Sequence, residues 1–83
     1  MKLRYFAWVR ERIGRTDEDV DPPAEVATVA DLLAWLQGRG PEYAYALSEP
    51  TAIRVAIDQV HAQRSAPVAG AREVALFPPM TGG

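Results

Sequence analysis

The sequence contains no cysteine, a single lysine, Lys2, and a single histidine, His61. The missing thiols exclude disulfides, thiolate metal sites and a cysteine nucleophile. Any sulfur handled by this chain therefore travels on a group other than its own thiol. With Lys2 alone, the chain is a poor acceptor for copies of itself in a polymer joined through side-chain amines. No apolar run approaches the ~18 residues a membrane helix needs. The opening Met1-Lys2-Leu3-Arg4-Tyr5 lacks the apolar stretch of a secretory signal. A soluble, cytoplasmic protein with no membrane partner is expected. The net charge of −2 leaves no basic footprint, so no nucleic-acid partner is expected either. The chain of 83 residues makes one domain. At that size a fold buries roughly 60–65% of the surface its unfolded chain exposes, which suits a modest core and not a deep enclosed active site. There is no Ser/His/Asp pattern, metal-ligand spacing, usable carboxylate pair or phosphate-cradling loop, so a catalyst acting alone is not expected.

What is present is a regular succession of short elements. Lys2 to Phe6 alternates, with Leu3 and Tyr5 on one face and Lys2 and Arg4 on the other, which predicts a strand. Phe6, Val9 and Ile13 fall at helical spacing, and Gly14 is a natural stop. Thr16 to Val20 returns as a second strand until Asp21-Pro22-Pro23 breaks it, because proline lacks the ladder donor. The clearest helix spans 28–38. Thr28 can cap it, Asp31 completes a capping box, and Val29, Leu32, Leu33 and Leu36 line one face. Gly38 and Gly40-Pro41 end it, and Glu42 to Leu47 adds a short turn. Ile53 to Ile57 reads as a strand, Asp58-Gln59 as a tight turn, and Val60-His61-Ala62 as its partner strand. Residues 63–72 read as loop, and Glu73 to Phe77 as the last strand. This order predicts an α+β domain with a mixed sheet wrapping one main helix, the first and last strands lying parallel in its middle. That is the β-grasp, or ubiquitin-like, topology. Residues 1–77 form the domain and 78–83 an extended functional tail.

The specific chemistry sits in Phe77-Pro78-Pro79-Met80-Thr81-Gly82-Gly83. Pro78 and Pro79 continue neither ladder nor helix and favour an extended path away from the domain. Met80 and Thr81 add no charge, and Gly82 and Gly83 add no side chain, so such an end can thread a narrow channel in another protein. The last carboxylate is sterically bare. ATP converts a carboxylate to an acyl adenylate, and a sulfur nucleophile that displaces AMP leaves a thiocarboxylate. At ordinary glycine usage a Gly-Gly end arises by chance in roughly one chain in 200. Its place after a Phe-Pro-Pro strand exit is what makes it informative.

These segments resemble the small-subunit family of molybdopterin synthase over nearly the whole length. Lys2-Leu3-Arg4-Tyr5-Phe6-Ala7 with Arg10 and Gly14 is similar to the family's first strand and turn. Thr28-Val29-Ala30-Asp31-Leu32-Leu33 is similar to its helix start, and Ile53 to Ile57 to its middle strand. Glu73-Val74-Ala75-Leu76-Phe77-Pro78-Pro79-Met80-Thr81-Gly82-Gly83 is similar to its ending. One departure stands out: where the family usually has Gly-Asp before this last strand, the chain has Ala71 and Arg72, with Gly70 one step earlier. The resemblance implies that an adenylating enzyme activates Gly83 with ATP and that sulfur replaces one carboxylate oxygen. The tail would then enter the active site of the large subunit and give sulfur to a cyclic pyranopterin monophosphate. Gly82, Thr81, Met80, Pro79 and Pro78 would thread that channel, and Phe77 would pack where the tail leaves the domain. No bound cofactor or metal is implied, ATP being used by the partner, and the assembly would be a heterotetramer. Sulfur transfer for thiamine or tRNA thiolation, and ubiquitin-like attachment to a target lysine, use the same activated carboxylate and remain alternatives. A plain binding module with an inert tail is a third.

Other residues carry plainer readings. His61 reads as an exposed strand histidine, with general base as the alternative. Asp17, Glu18, Asp19 and Asp21 read as a solvated face, although carboxylates are also hard-cation ligands. Trp35 reads as core or core rim, and Trp8 is equally well placed as core or as an interface anchor.

Overall fold

The computed structural model describes residues 1–79, so Met80, Thr81, Gly82 and Gly83, all singled out above, lie outside the described residues. Strand β1 (Lys2–Tyr5) buries Leu3 and Tyr5 and exposes Lys2 and Arg4. Helix α1 (Ala7–Ile13) follows and ends at Gly14, whose φ of 85° is the left-handed value that glycine adopts without a Cβ penalty. Here the helical spacing of Phe6 misleads. Phe6 is the extended N-cap and stays 40% exposed, so only Val9 and Ile13 face the core. Strand β2 (Asp17–Asp19) returns antiparallel to β1.

Helix α2 (Val29–Gln37) starts at the capping box expected from Thr28 and Asp31. The Asp31 N–H donates to Thr28 Oγ1 at 3.2 Å, and the Thr28 N–H donates to the Asp31 carboxylate at 3.1 Å. Helix α3 (Pro41–Ala46) has its proline in the first turn, where no intrahelical donor is lost. A 3₁₀ turn (Pro50–Ala52) leads into β3 (Arg54–Ile57). Asp58 and Gln59 both take positive φ, 49° and 72°, as a two-residue type I′ hairpin demands, and β4 (Val60–Ala62) pairs back.

Strand β5 (Glu73–Phe77) closes the sheet in the order β2-β1-β5-β3-β4, parallel to β1 and antiparallel to β3. The entry to β5 shows how the Ala71-Arg72 departure is accommodated. Gly70 supplies a left-handed φ of 79° one residue earlier. The Asp58 carboxylate then accepts the Arg72 and Glu73 N–H groups, both at 3.0 Å.

Register decides the two faces. Leu3, Tyr5, Val55, Val74 and Leu76 point to one side and join a core with Val29, Leu32, Leu33 and Leu36 of α2. Val9 and Ile13 of α1 and Tyr43 and Ala46 of α3 join the same core. The helices therefore share one face, and the fold is a β-grasp. The opposite face carries Lys2, Arg4, Arg54, Ala56, His61, Ala75 and Phe77. Among the described residues, no helix is long and apolar enough to cross a membrane.

Candidate functional site

The site is the place where the chain leaves β5. Leu76 is fully buried in the centre of the sheet, and the Phe6 N–H donates to its carbonyl at 3.1 Å, the last bond on the β1 side. Phe77 faces Arg54 across the antiparallel ladder. Its ring meets His61 edge-on, with centroids 5.5 Å apart. Pro78 and Pro79 follow, both half-buried and outside any ladder, as their missing donors require. The exit is flanked on one side by the exposed Phe6, with the Arg4 guanidinium 5.7 Å from its ring, and on the other by Arg54 and His61. The residues singled out at the tail thus divide: Phe77, Pro78 and Pro79 are placed at this exit, while Met80, Thr81, Gly82 and Gly83 lie outside the described residues.

Ala7, next to Phe6, opens α1 with φ of 52°, a left-handed value that costs a residue with a Cβ about 1–2 kcal/mol. The chain takes this path because β1 ends at Tyr5 and must turn at once onto the helical layer beneath.

The acidic run is not one solvated face. Glu18 lies opposite Leu3 in the register, so its side chain turns inward and is only 6% exposed. The Tyr5 and Tyr43 hydroxyls donate to Glu18 Oε2 at 2.7 Å and 2.6 Å, and Arg39 lies 3.0 Å from Oε1. Burial pushes the Glu18 carboxyl up. The hydrogen bonds from Tyr43, Tyr5 and Arg39 outweigh it and hold the group below its ordinary range. Burial, and then the hydrogen bond to Glu18, push both phenols up. The carboxylate is fully engaged and serves structure, tying β2 to β1 and α3. Sequence reasoning missed it because its partners are 13 and 25 residues away. Among the described residues, no group of three or more His, Asp or Glu is placed to hold a metal ion.

Both tryptophans are half-buried against the core and carry an arginine on the ring. Arg12 lies 4.4 Å from Trp8 and 4.6 Å from Tyr45, and Arg39 lies 5.4 Å from Trp35. Such stacking covers the rings with charge while keeping them in place.

In this arrangement the sheet holds Phe77 to Pro79, and Phe6, Arg4, Arg54 and His61 stand around them. Comparisons with known proteins find relatives matched over nearly their whole length. The sequence model of the ThiS family matches residues 3–83. A relative from Escherichia coli (strain K12), named molybdopterin synthase sulfur carrier subunit, is 34% identical over 83 residues, which is 100% of this chain and 99% of that protein. The crystal structure of SAMP1 from Haloferax volcanii superposes with a TM-score of 0.74 at 32% identity, covering 100% of this chain and 98% of that one. A second structure, of H. volcanii small archaeal modifier protein 1, gives a TM-score of 0.73 at 29% identity, covering 96% of this chain and 97% of that one.

Proposed function

The chain belongs to the ThiS family, and on that premise we propose that it is a sulfur carrier whose working group is the carboxylate of Gly83. It acts as the small, non-catalytic subunit of a molybdopterin synthase. The observation that carries this reading is the ending itself. The central strand β5 stops at Phe77, two prolines follow, and the sequence closes on Met80-Thr81-Gly82-Gly83 with no charge and no bulk near the carboxylate. Residues 1–77 are the docking body and 78–83 the tail delivered to partners.

The chemistry belongs to those partners. In an adenylating enzyme, a Gly83 carboxylate oxygen attacks the α-phosphorus of ATP, forming the acyl adenylate and releasing pyrophosphate. A sulfur nucleophile then adds to the acyl carbon, AMP leaves, and a thiocarboxylate remains. In the large subunit, the thiocarboxylate sulfur displaces an oxygen substituent from a side-chain carbon of a cyclic pyranopterin monophosphate: the C–S bond forms, the C–O bond breaks and the oxygen leaves. Water then cleaves the resulting thioester, leaving the sulfur on the pterin and regenerating the Gly83 carboxylate. This chain contributes reach, a bare terminus and a docking surface. Its setting is the cytoplasm, and the synthase it forms is a heterotetramer.

A second reading is attachment of Gly83 to a lysine of a target protein, favoured by the modifier named among the similar structures. Sulfur delivery for thiamine or tRNA thiolation shares the same first step. That step is tested by ATP–pyrophosphate exchange with the adenylating enzyme of the same organism. Exchange that requires this chain and stops when Gly83 is deleted is the expected result. Exchange that continues at the same rate without Gly83 would show that Gly83 is not required for the activation step.

A further inference from the structure

We propose that the groove beside the tail exit, at the β3–β4 edge of the sheet, is a docking site for an extended acidic segment of a partner protein. The groove measures about 520 Å³ and includes Val55 and Ala62, with Arg54, His61, Gln63 and Arg64 around them. Val55 is buried and Ala62 half-buried, while Arg54, His61 and Gln63 are exposed. The groove therefore lies at the edge of the sheet, where Val55 and Ala62 of the core face come beside Arg54 and His61 of the opposite face.

The arginines differ in their pairing. Arg4 lies against Glu73, and Arg15 and Arg39 lie against Glu18. Among the described residues, Arg10, Arg12, Arg54, Arg64 and Arg72 have no carboxylate partner, and of these Arg54 and Arg64 line the groove. Each donates instead to a carbonyl: Arg54 to Thr51 at 3.4 Å, and Arg64 to Pro50. Those carbonyls are adjacent on the 3₁₀ turn, so the two guanidiniums are gathered around one short segment. Each keeps further N–H donors for a ligand. Arg64 is also fixed through its backbone, since its carbonyl accepts the Ala30 N–H at 3.0 Å.

Charge across the sheet points the same way. The opposite edge, β2, is Asp17-Glu18-Asp19, and the strand order puts it as far from β4 as the sheet allows. An acidic segment is repelled at the β2 edge and attracted by the arginines of the groove, which orients the encounter. Among the described residues β4 is an edge strand, so its outward backbone groups face no further strand and can pair with an extended segment. A long polyanion such as a nucleic acid would meet the acidic remainder, whereas a short carboxylate-bearing segment meets only the groove. His61 lines the groove and packs on Phe77, so a partner seated there also touches the base of the tail. The biological sense of the site rests on the tail being delivered to a partner, but its occupancy does not.

The test is an NMR titration of the full-length chain with a short all-glutamate peptide, against an all-glutamine control, at a Debye length of about 30 Å. Saturable shifts confined to the amides of residues 53–55 and 61–64 are expected with the glutamate peptide alone. They should weaken by about tenfold or more in Arg54→Gln/Arg64→Gln. They should also weaken when salt shortens the Debye length to about 8 Å. If the double variant unfolds, Arg54→Gln alone, at an exposed position, must still weaken binding. Shifts scattered over Arg10, Arg12 and Arg72, or an unchanged affinity in the variant, would overturn the proposal. So would binding that appears only after Gly82 and Gly83 are removed, because the chain's own carboxylate would then be the occupant. None of these failures touches the carrier reading, which is tested at Gly83.

Discussion

Replacing Glu18 by alanine removes one carboxylate and strands the groups that converge on it. Tyr5 and Tyr43 are 1% and 5% exposed, and both hydroxyls donate to Glu18. A buried donor left without an acceptor costs about 1–3 kcal/mol, so the two phenols together cost about 2–6 kcal/mol. Arg39, whose side chain is 31% exposed, turns to water and adds little. Against a typical total of about 5–15 kcal/mol this is a large fraction. At this chain length it lowers Tm by about 10 °C or more. Urea denaturation followed by circular dichroism measures it. Tyr5→Phe, which removes a donor without orphaning the carboxylate's other partners, should cost less than Glu18→Ala. The acid limb carries a second signature. Because hydrogen bonds hold the folded Glu18 carboxyl below its ordinary 4.5, its stabilisation is complete above that value and is lost as pH falls through the lower folded pKa. Glu18→Gln lacks this component, so its stability falls less steeply in acid than that of the parent. A Glu18→Ala protein within about 0.5 kcal/mol of the parent, the range of an ordinary surface substitution, would refute the reasoning.

Other outcomes follow from single residues. Ala7→Gly should leave stability unchanged or raise it, because φ of 52° suits glycine, whereas Ala34→Gly in the exposed interior of α2 should cost about 1 kcal/mol. Equal losses at the two positions in thermal melts would contradict the strain at Ala7. Thr28→Ala should cost about 1 kcal/mol by removing the acceptor of the Asp31 N–H, seen as a lower denaturation midpoint at unchanged slope. Phe77→Ala, at the last residue of β5, should keep the fold by circular dichroism yet slow thiocarboxylate formation at Gly83. An unchanged rate would remove Phe77 from the docking surface.

Local chemistry made much of the fold legible. The Thr28/Asp31 capping box, the Asp58-Gln59 turn and the alternation of Leu3 and Tyr5 are each decided within a few residues, and each formed as its sequence indicates. The parallel pairing of β1 with β5 followed from fitting those elements around one helix. What was hidden depends on distant partners. Glu18 is one acid in an acidic run until the β1–β2 register turns it inward toward Tyr5 and Tyr43. Phe6 fits a helical pattern until the turn out of β1 makes it the cap. Arg54 and Arg64 are ten positions apart in the chain and meet only because the β3–β4 hairpin folds back beside the 3₁₀ turn. The tail was legible in a different sense. Its chemistry is that of residue types, two prolines and two glycines ahead of a bare carboxylate; β5 ends at Phe77, and Met80 to Gly83 lie outside the described residues.

The carrier role itself is tested most directly by the intact mass of the chain after incubation with ATP, a sulfur donor and the adenylating enzyme of the same organism. A gain equal to the exchange of one oxygen for sulfur, absent when Gly83 is deleted, is the predicted result. An unchanged mass, with an enzyme shown to be active on another carrier, would contradict it.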